Sequence, residues 1–160
     1  MKFSANLGFL WNDLSLPEAI RAAKKAGFDA VECHWPYQTS AADTLAALHE
    51  TGLPMLGLNT RRGNVAGGEN GLAALPDRSA DARAAIDEAI TYANILDCKA
   101  VHVMAGFASG TDAHTTFVKN LTYACTQAEQ SDITILIEPL NKYDAPGYFL
   151  STTDQALETI

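Results

Sequence analysis

The chain has 160 residues, 48% of them hydrophobic, with 19 acidic against 11 basic side chains and a formal net charge of −8. That is enough apolar material for the core of one domain, and too acidic for a protein that grips a phosphate backbone, so no nucleic-acid partner is expected. Cys33, Cys98 and Cys125 are odd in number and form no C-x-x-C pair, which indicates neither a disulfide framework nor a cysteine zinc site and makes a reducing cytoplasm the simplest setting.

Lys2 and the apolar run Phe3 to Trp11 imitate a short signal peptide, but Asn6 interrupts the run and Asn12-Asp13 closes it. No small-x-small cleavage site follows, so the segment is read as a first strand over roughly 2–7. Ser15-x-x-Glu18 is a capping box with Pro17 in the first turn, and Gly27 is a natural helix stop. A second strand is predicted over roughly 28–33, then a helix opened by Ser40-x-x-Asp43 and closed by Gly52. A third strand over roughly 54–59 leads into a long loop holding Arg61-Arg62 among Gly63, Gly67, Gly68 and Gly71. Ile86, Ala89, Ile90, Ala93 and Leu96 then form one apolar helical stripe. A fourth strand over roughly 99–104 precedes a helix starting at Thr111-Asp112, with Phe117, Leu121, Ala124 and Ala128 as its stripe. A fifth strand, roughly 133–138, is followed by the helix start Ser151-Thr152-Thr153-Asp154. No apolar stretch approaches the ~18 residues that span a membrane.

Regular strand–helix alternation predicts an α/β fold with a parallel sheet. Five units in 160 residues leave about 32 each, so eight would need about 256, near the ~250 typical of a (β/α)₈ barrel. The last helix has only about two turns, which is marginal alone. The expectation is the N-terminal part, about five βα units, of a (β/α)₈ TIM barrel: a single domain over 1–160, truncated at its C-terminus.

The densest chemical signal is Ile133-Thr134-Ile135-Leu136-Ile137-Glu138-Pro139, a carboxylate closing a strand that reads as buried. Pro139 ends the ladder there. A charge in such a place needs a cation, a proton or hydrogen bonds, and strand C-termini are where parallel folds bind ligands. Glu138 is thus either a functional carboxylate or the partner of a basic group on a neighbouring strand. Alternation places Thr134, Leu136 and Glu138 on the barrel-axis face, with His102 and Met104 from strand four, Glu32 and His34 from strand two, and Ser4 and Asn6 from strand one. His102 alone reads first as a hydrogen-bonded core histidine, and Glu32 first as a structural partner of His34 or of a backbone donor. The glycines form no nucleotide-binding fingerprint.

Asn59-Thr60, Gly71-Leu72-Ala73-Ala74-Leu75-Pro76, Val101-His102-Val103-Met104-Ala105-Gly106, Ile137-Glu138-Pro139-Leu140-Asn141 and Asp144-Ala145-Pro146-Gly147-Tyr148-Phe149-Leu150 occur in this order. So do Phe3-Ser4-Ala5-Asn6-Leu7 and Gly27-Phe28-Asp29-Ala30-Val31-Glu32. Together they resemble the hydroxypyruvate isomerase family of the xylose-isomerase-like barrels, over the whole chain. The resemblance implies interconversion of hydroxypyruvate and 2-hydroxy-3-oxopropanoate, a small-molecule hydroxy-keto acid substrate; the lack of a long apolar stretch leads to the expectation of no membrane partner, and the chain is compatible with a homo-oligomer. It also implies a divalent metal cation, Mg²⁺ or Mn²⁺, at the barrel mouth. Glu138 matches the strand-five glutamate, metal ligand and proton donor or acceptor; the second catalytic glutamate and remaining ligands are expected beyond residue 160. His102, Asn141, Asn6 and Glu32 are the candidate substrate contacts, with a loop-capping role equally open for Asn141. Arg61-Arg62 have two readings, a lid reaching a substrate carboxylate or solvated charges on a flexible loop.

The alternatives are a 2-oxo-tetronate isomerase or keto-sugar 3-epimerase of the same superfamily, or a non-enzymatic five-stranded binding module. An abasic-site endonuclease needs a histidine-rich metal centre and a basic face, for which scattered His34, His49, His102 and His114 are a poor match.

Overall fold

Helix ends fall where capping chemistry places them. The computed structural model describes residues 1–160. Strand β1 (Ser4–Asn6) leads to helix α1 (Leu16–Ala26). Glu18 accepts the Ser15 backbone N–H at 3.0 Å, and Gly27 closes the helix at φ 90°. Strand β2 (Ala30–Glu32) leads to α2 (Ala41–Thr51), where the Ser40 hydroxyl accepts Asp43 N–H at 3.1 Å. Strand β3 (Leu58–Asn59) is followed by two 3₁₀ turns, Val65–Gly67 and Pro76–Arg78, and then α3 (Ser79–Leu96). Strand β4 (Ala100–His102), α4 (Gly110–Glu129), β5 (Thr134–Leu136) and α5 (Thr153–Thr159) complete the order. Helix α4 starts slightly earlier than Thr111-Asp112, because Ser109 is its cap.

All strand pairs are parallel. β1 pairs with β2, and β3 with β4 and β5. The halves are joined where Val31 bridges Met55 and Cys33 N–H donates to the Gly57 carbonyl at 3.1 Å. Spatial order therefore equals chain order, with no reversal at which an open doubly wound sheet would form its ligand crevice. This is the curvature of a partial barrel, as expected, and it removes the independent five-stranded module from contention.

The core lies between strands and helices. Ala5, Val31, Leu58, Val101 and Val103 point outward and are at most 1% exposed, against Ile20, Ala47, Ile86 and Phe117. Every member of the two predicted stripes on α3 and α4 is buried. Consecutive helices pack in order, α1 on α2, α2 on α3 and α3 on α4. Thr44 and Tyr92 hydroxyls, 2.8 Å apart, join α2 to α3 inside that layer. No helix is long and apolar enough to cross a membrane.

Strand β5 corrects one expectation. It was expected to be buried over roughly 133–138, but it pairs only over Thr134–Leu136 and only with β4. With its other edge unpaired, Thr134 and Leu136 are exposed on the inner face while Ile135 and Ile137 are half-buried beneath the helices. The alternation is as predicted; the burial is not.

Candidate active site at the strand C-termini

Register builds the site. Asn6 pairs with Glu32, and Asn59 with His102, which pairs with Leu136. Side chains in register share a face, and so do residues two positions further along. One layer is therefore Asn6, Glu32, Asn59, His102 and Leu136; the next, toward the mouth, includes His34, Met104 and Glu138. All of these line one cavity of about 750 Å³.

Glu138 stands two residues past the last paired residue of β5. Its side chain is 64% exposed and looks into the cavity, with Oε2 3.7 Å from His102 Nδ1. The expectation of a buried charge that demands compensation is thus not met; the open edge of β5 leaves the carboxylate in solvent. His102 is the opposite case. Its side chain is 9% exposed, and Nε2 is buried without a hydrogen-bond partner, so the hydrogen-bonded core histidine is not what the fold contains. Loss of hydration, with the nearby His34 in second place, lowers its pKa to about 4. At neutral pH the imidazole is uncharged. Its 3.7 Å approach to Glu138 is therefore a neutral-ring contact rather than a salt bridge, and too long for a hydrogen bond.

His34 occupies the centre. Burial lowers its pKa, while Glu138 and Glu32 act against that and Arg62 adds to it. It forms edge-on contacts with Phe9 and Trp35, at centroid distances of 4.9 and 5.0 Å. A Cβ added to Gly8 would lie 2.2 Å from His34 Nδ1, so the ring sits directly on that glycine. Asn6 Oδ1 accepts Gly8 N–H at 2.9 Å and shapes the same turn.

Four of the five predicted site residues, Glu138, His102, Asn6 and Glu32, meet in this cavity; Asn141 does not. Asn141 Oδ1 accepts the N–H groups of Tyr143 and Asp144 at 2.9 and 3.0 Å, and Nδ2 donates to Asp144 at 2.6 Å. It caps the 141–144 turn. The 145–150 segment also has a packing role, since Tyr148 OH accepts Ala105 N–H at 2.8 Å and Phe149 N–H donates to the Gly106 carbonyl at 2.9 Å. Sequence reasoning left out Asn59, Asn70 and Trp35. For Asn59 the signal was present, because strand alternation from buried Leu58 turns it inward. Loop residues Trp35 and Asn70 carry no periodic signal.

A hard divalent cation takes six or more ligands, mostly oxygen. Glu138 fits as one of them, with neither oxygen hydrogen-bonded to the protein. No three His, Cys, Asp or Glu side chains come together closely enough to hold an ion, so the residues present do not by themselves complete such a donor set.

Residues 20–160 match the family model described as xylose isomerase-like TIM barrel. The chain belongs to that family. It is 40% identical over 157 residues to a 2-oxo-tetronate isomerase of Cupriavidus necator, covering 96% of this chain and 60% of that protein. It is 39% identical to a human protein named "Putative hydroxypyruvate isomerase", covering 98% of this chain and 60% of the relative. The chain thus spans about three fifths of the relatives it matches. Among solved structures, an AP endonuclease, family 2, from Brucella melitensis superposes with a TM-score of 0.94 at 35% identity, over 99% of this chain and 62% of that one. A 3-keto-D-glucoside 4-epimerase from E. coli superposes at 0.77 with 20% identity over 100% and 63%, which speaks for the fold alone.

Proposed function

We propose that this chain is the N-terminal part of an isomerase that interconverts hydroxypyruvate and 2-hydroxy-3-oxopropanoate, its barrel completed by further βα units. The observation that carries the reading is Glu138, projecting from the end of β5 into the cavity beside the buried His102. Curated relatives named as isomerases of short 2-oxo acids support it. A small-molecule substrate in a cytoplasmic protein is the matching setting. The net charge of −8 supports a small molecule over DNA, despite the name of the Brucella structure.

The reaction moves one proton between adjacent carbons. Glu138, as carboxylate, removes a proton from C3 of hydroxypyruvate to give an enediolate; C2 is protonated and the O3 proton passes to O2, leaving the aldehyde at C3 and a hydroxyl at C2. A second carboxylate, outside this chain, takes the complementary role. Neutral His102 offers a donor or acceptor to a substrate oxygen without adding positive charge. Asn6, Asn59 and Glu32 orient the hydroxyls from the layer below. When bound, a divalent cation, Mg²⁺ or Mn²⁺, supplies Lewis-acid stabilisation of developing oxygen charge, and Glu138 would help hold it.

The four-carbon reading, 2-oxo-tetronate isomerisation, has its own support in relatives from Cupriavidus necator and Pectobacterium atrosepticum, at 40% and 42% identity. Rates on three- and four-carbon acids separate the two. The common mechanism is tested by Glu138→Gln in the complete protein. Activity should fall roughly 10²–10⁴-fold, the range a positioned acid–base group contributes, and a near-wild-type rate removes Glu138 from the mechanism.

A further inference from the structure

The two arginines of the loop after β3 do different things. Arg61 is committed to the protein: its Nη2 lies 2.8 Å from Glu88 of α3, and its guanidinium stands 4.6 Å from the Tyr37 ring centroid. Arg62 turns the other way, into the cavity that holds Glu138, His102 and His34. It is half-buried, and its guanidinium lies over the Trp35 ring, 4.1 Å from the centroid. The loop's acidic neighbour is already taken, since Glu69 pairs with Arg78 and accepts the Asn64 N–H. Arg62 therefore has an aromatic partner on one face and no carboxylate of its own. A stacked guanidinium with free edge donors is suited to hold a carboxylate through two parallel hydrogen bonds.

Nor is this the flexible loop of the solvated-charge reading. Gly71 N–H donates to the Arg62 carbonyl at 2.9 Å, and Leu72 N–H to the Met104 carbonyl at 3.2 Å. Trp35 Nε1–H donates to Met104 Sδ at 3.3 Å, fixing the ring on which Arg62 rests. Both the backbone and the stacking surface of Arg62 are thus tied to the segment after β4. Such an arrangement binds an anion without first ordering a loop.

We infer that Arg62 anchors the carboxylate of the substrate and thereby selects short 2-oxo and 2-hydroxy acids over neutral sugars. The acid end lies at Arg62 and Trp35, and the reacting carbons extend toward Glu138 and His102. The identity of the reaction rests on the isomerase reading above; the carboxylate pairing does not.

The test compares the complete protein with its Arg62→Ala, Arg62→Gln and Arg61→Ala variants. Hydroxypyruvate is set against dihydroxyacetone, which has CH₂OH in place of the carboxylate. Calorimetric binding of tartronate, an acid that cannot isomerise, gives a readout independent of turnover. Both Arg62 variants should raise KM for hydroxypyruvate and weaken tartronate binding roughly 10- to 100-fold, the loss expected for charged hydrogen bonds. Arg61→Ala should leave both within about twofold. Wild-type protein should prefer hydroxypyruvate to dihydroxyacetone, and the Arg62 variants should lose most of that preference. Unchanged KM and tartronate affinity in folded Arg62 variants overturn the inference, as does equal wild-type use of the two substrates. Arg62-dependent tartronate binding in a protein that isomerises nothing upholds the anchor and defeats the isomerase reading.

Discussion

Gly71 offers a stringent check on how rigidly the loop after β3 is seated. Its φ is +114°, a conformation L side chains rarely adopt. A Cβ there would lie 2.7 Å from both the Gly106 nitrogen and the Met104 carbonyl oxygen. Both are backbone atoms, so no rotamer change relieves the clash. Gly68 is the natural control: it has φ +88°, but nothing lies within 4 Å of the added methyl. Gly68→Ala should therefore cost only left-handed strain, about 1 kcal/mol. Gly71→Ala adds a steric term of about 1–3 kcal/mol to a backbone term of about 1–3 kcal/mol. Thermal unfolding of the complete protein, followed by circular dichroism, should rank Gly71→Ala below Gly68→Ala, by roughly 2–20 °C. Displacing Gly71 also breaks its bond to the Arg62 carbonyl, so KM for the acid substrate should rise in this variant alone. Equal melting temperatures for the two variants would refute the close, unyielding approach of this loop to the segment after β4.

Two further predictions follow from burial and from the incomplete donor set. Cys33 and Cys98 are buried, and burial raises both thiol pKa values, whereas Cys125 is exposed; at pH 8 a thiol-reactive dye should label Cys125 and spare Cys33 and Cys98 in native protein, and reach all three in denaturant. Prompt labelling of all three without denaturant would contradict the packing around β2 and β4. Dialysis of the complete protein against a chelator should abolish isomerisation and Mg²⁺ or Mn²⁺ should restore it, while this 160-residue chain alone should bind either ion weakly and turn over nothing. Full activity in metal-free protein, or turnover by the chain alone, counts against the proposed cation role.

Much of the architecture was readable because its signals are local. Ser15, Ser40 and Gly27 mark helix ends by satisfying or redirecting a few backbone groups, and the stripes from Ile86 and Phe117 mark what must be buried. Alternation likewise identified which faces of β2, β4 and β5 turn inward. Alternation does not carry exposure. Whether Thr134 and Leu136 are covered depends on what lies beside β5, and nothing in its own residues states that. The arginines show the same limit. Arg61 and Arg62 are adjacent and chemically identical, yet one finds Glu88 and the other Trp35, partners 27 residues later and earlier by the same number. Asn141 was ambiguous for the reverse reason, since an asparagine lining a site and one capping a turn look alike until Asp144 is seen to close on it.

The charges around the cavity account for why a histidine this buried is tolerated. Arg62 brings one positive charge to the wall, and a cation at Glu138 would bring more. A protonated His102 lining the same cavity would repel both, with little water to screen it. Burial prevents this: with hydration removed and His34 close by, the imidazole stays neutral at working pH. The ring then keeps one donor and one acceptor, which in the proposed reaction would serve a substrate oxygen in either direction. Leaving Nε2 without a protein partner costs roughly 1–3 kcal/mol, a cost a purely structural residue would avoid by being leucine. His102→Leu in the complete protein should accordingly hold or raise the melting temperature while lowering kcat. A variant that melts well below wild type would mean that His102 is retained for packing and not for chemistry.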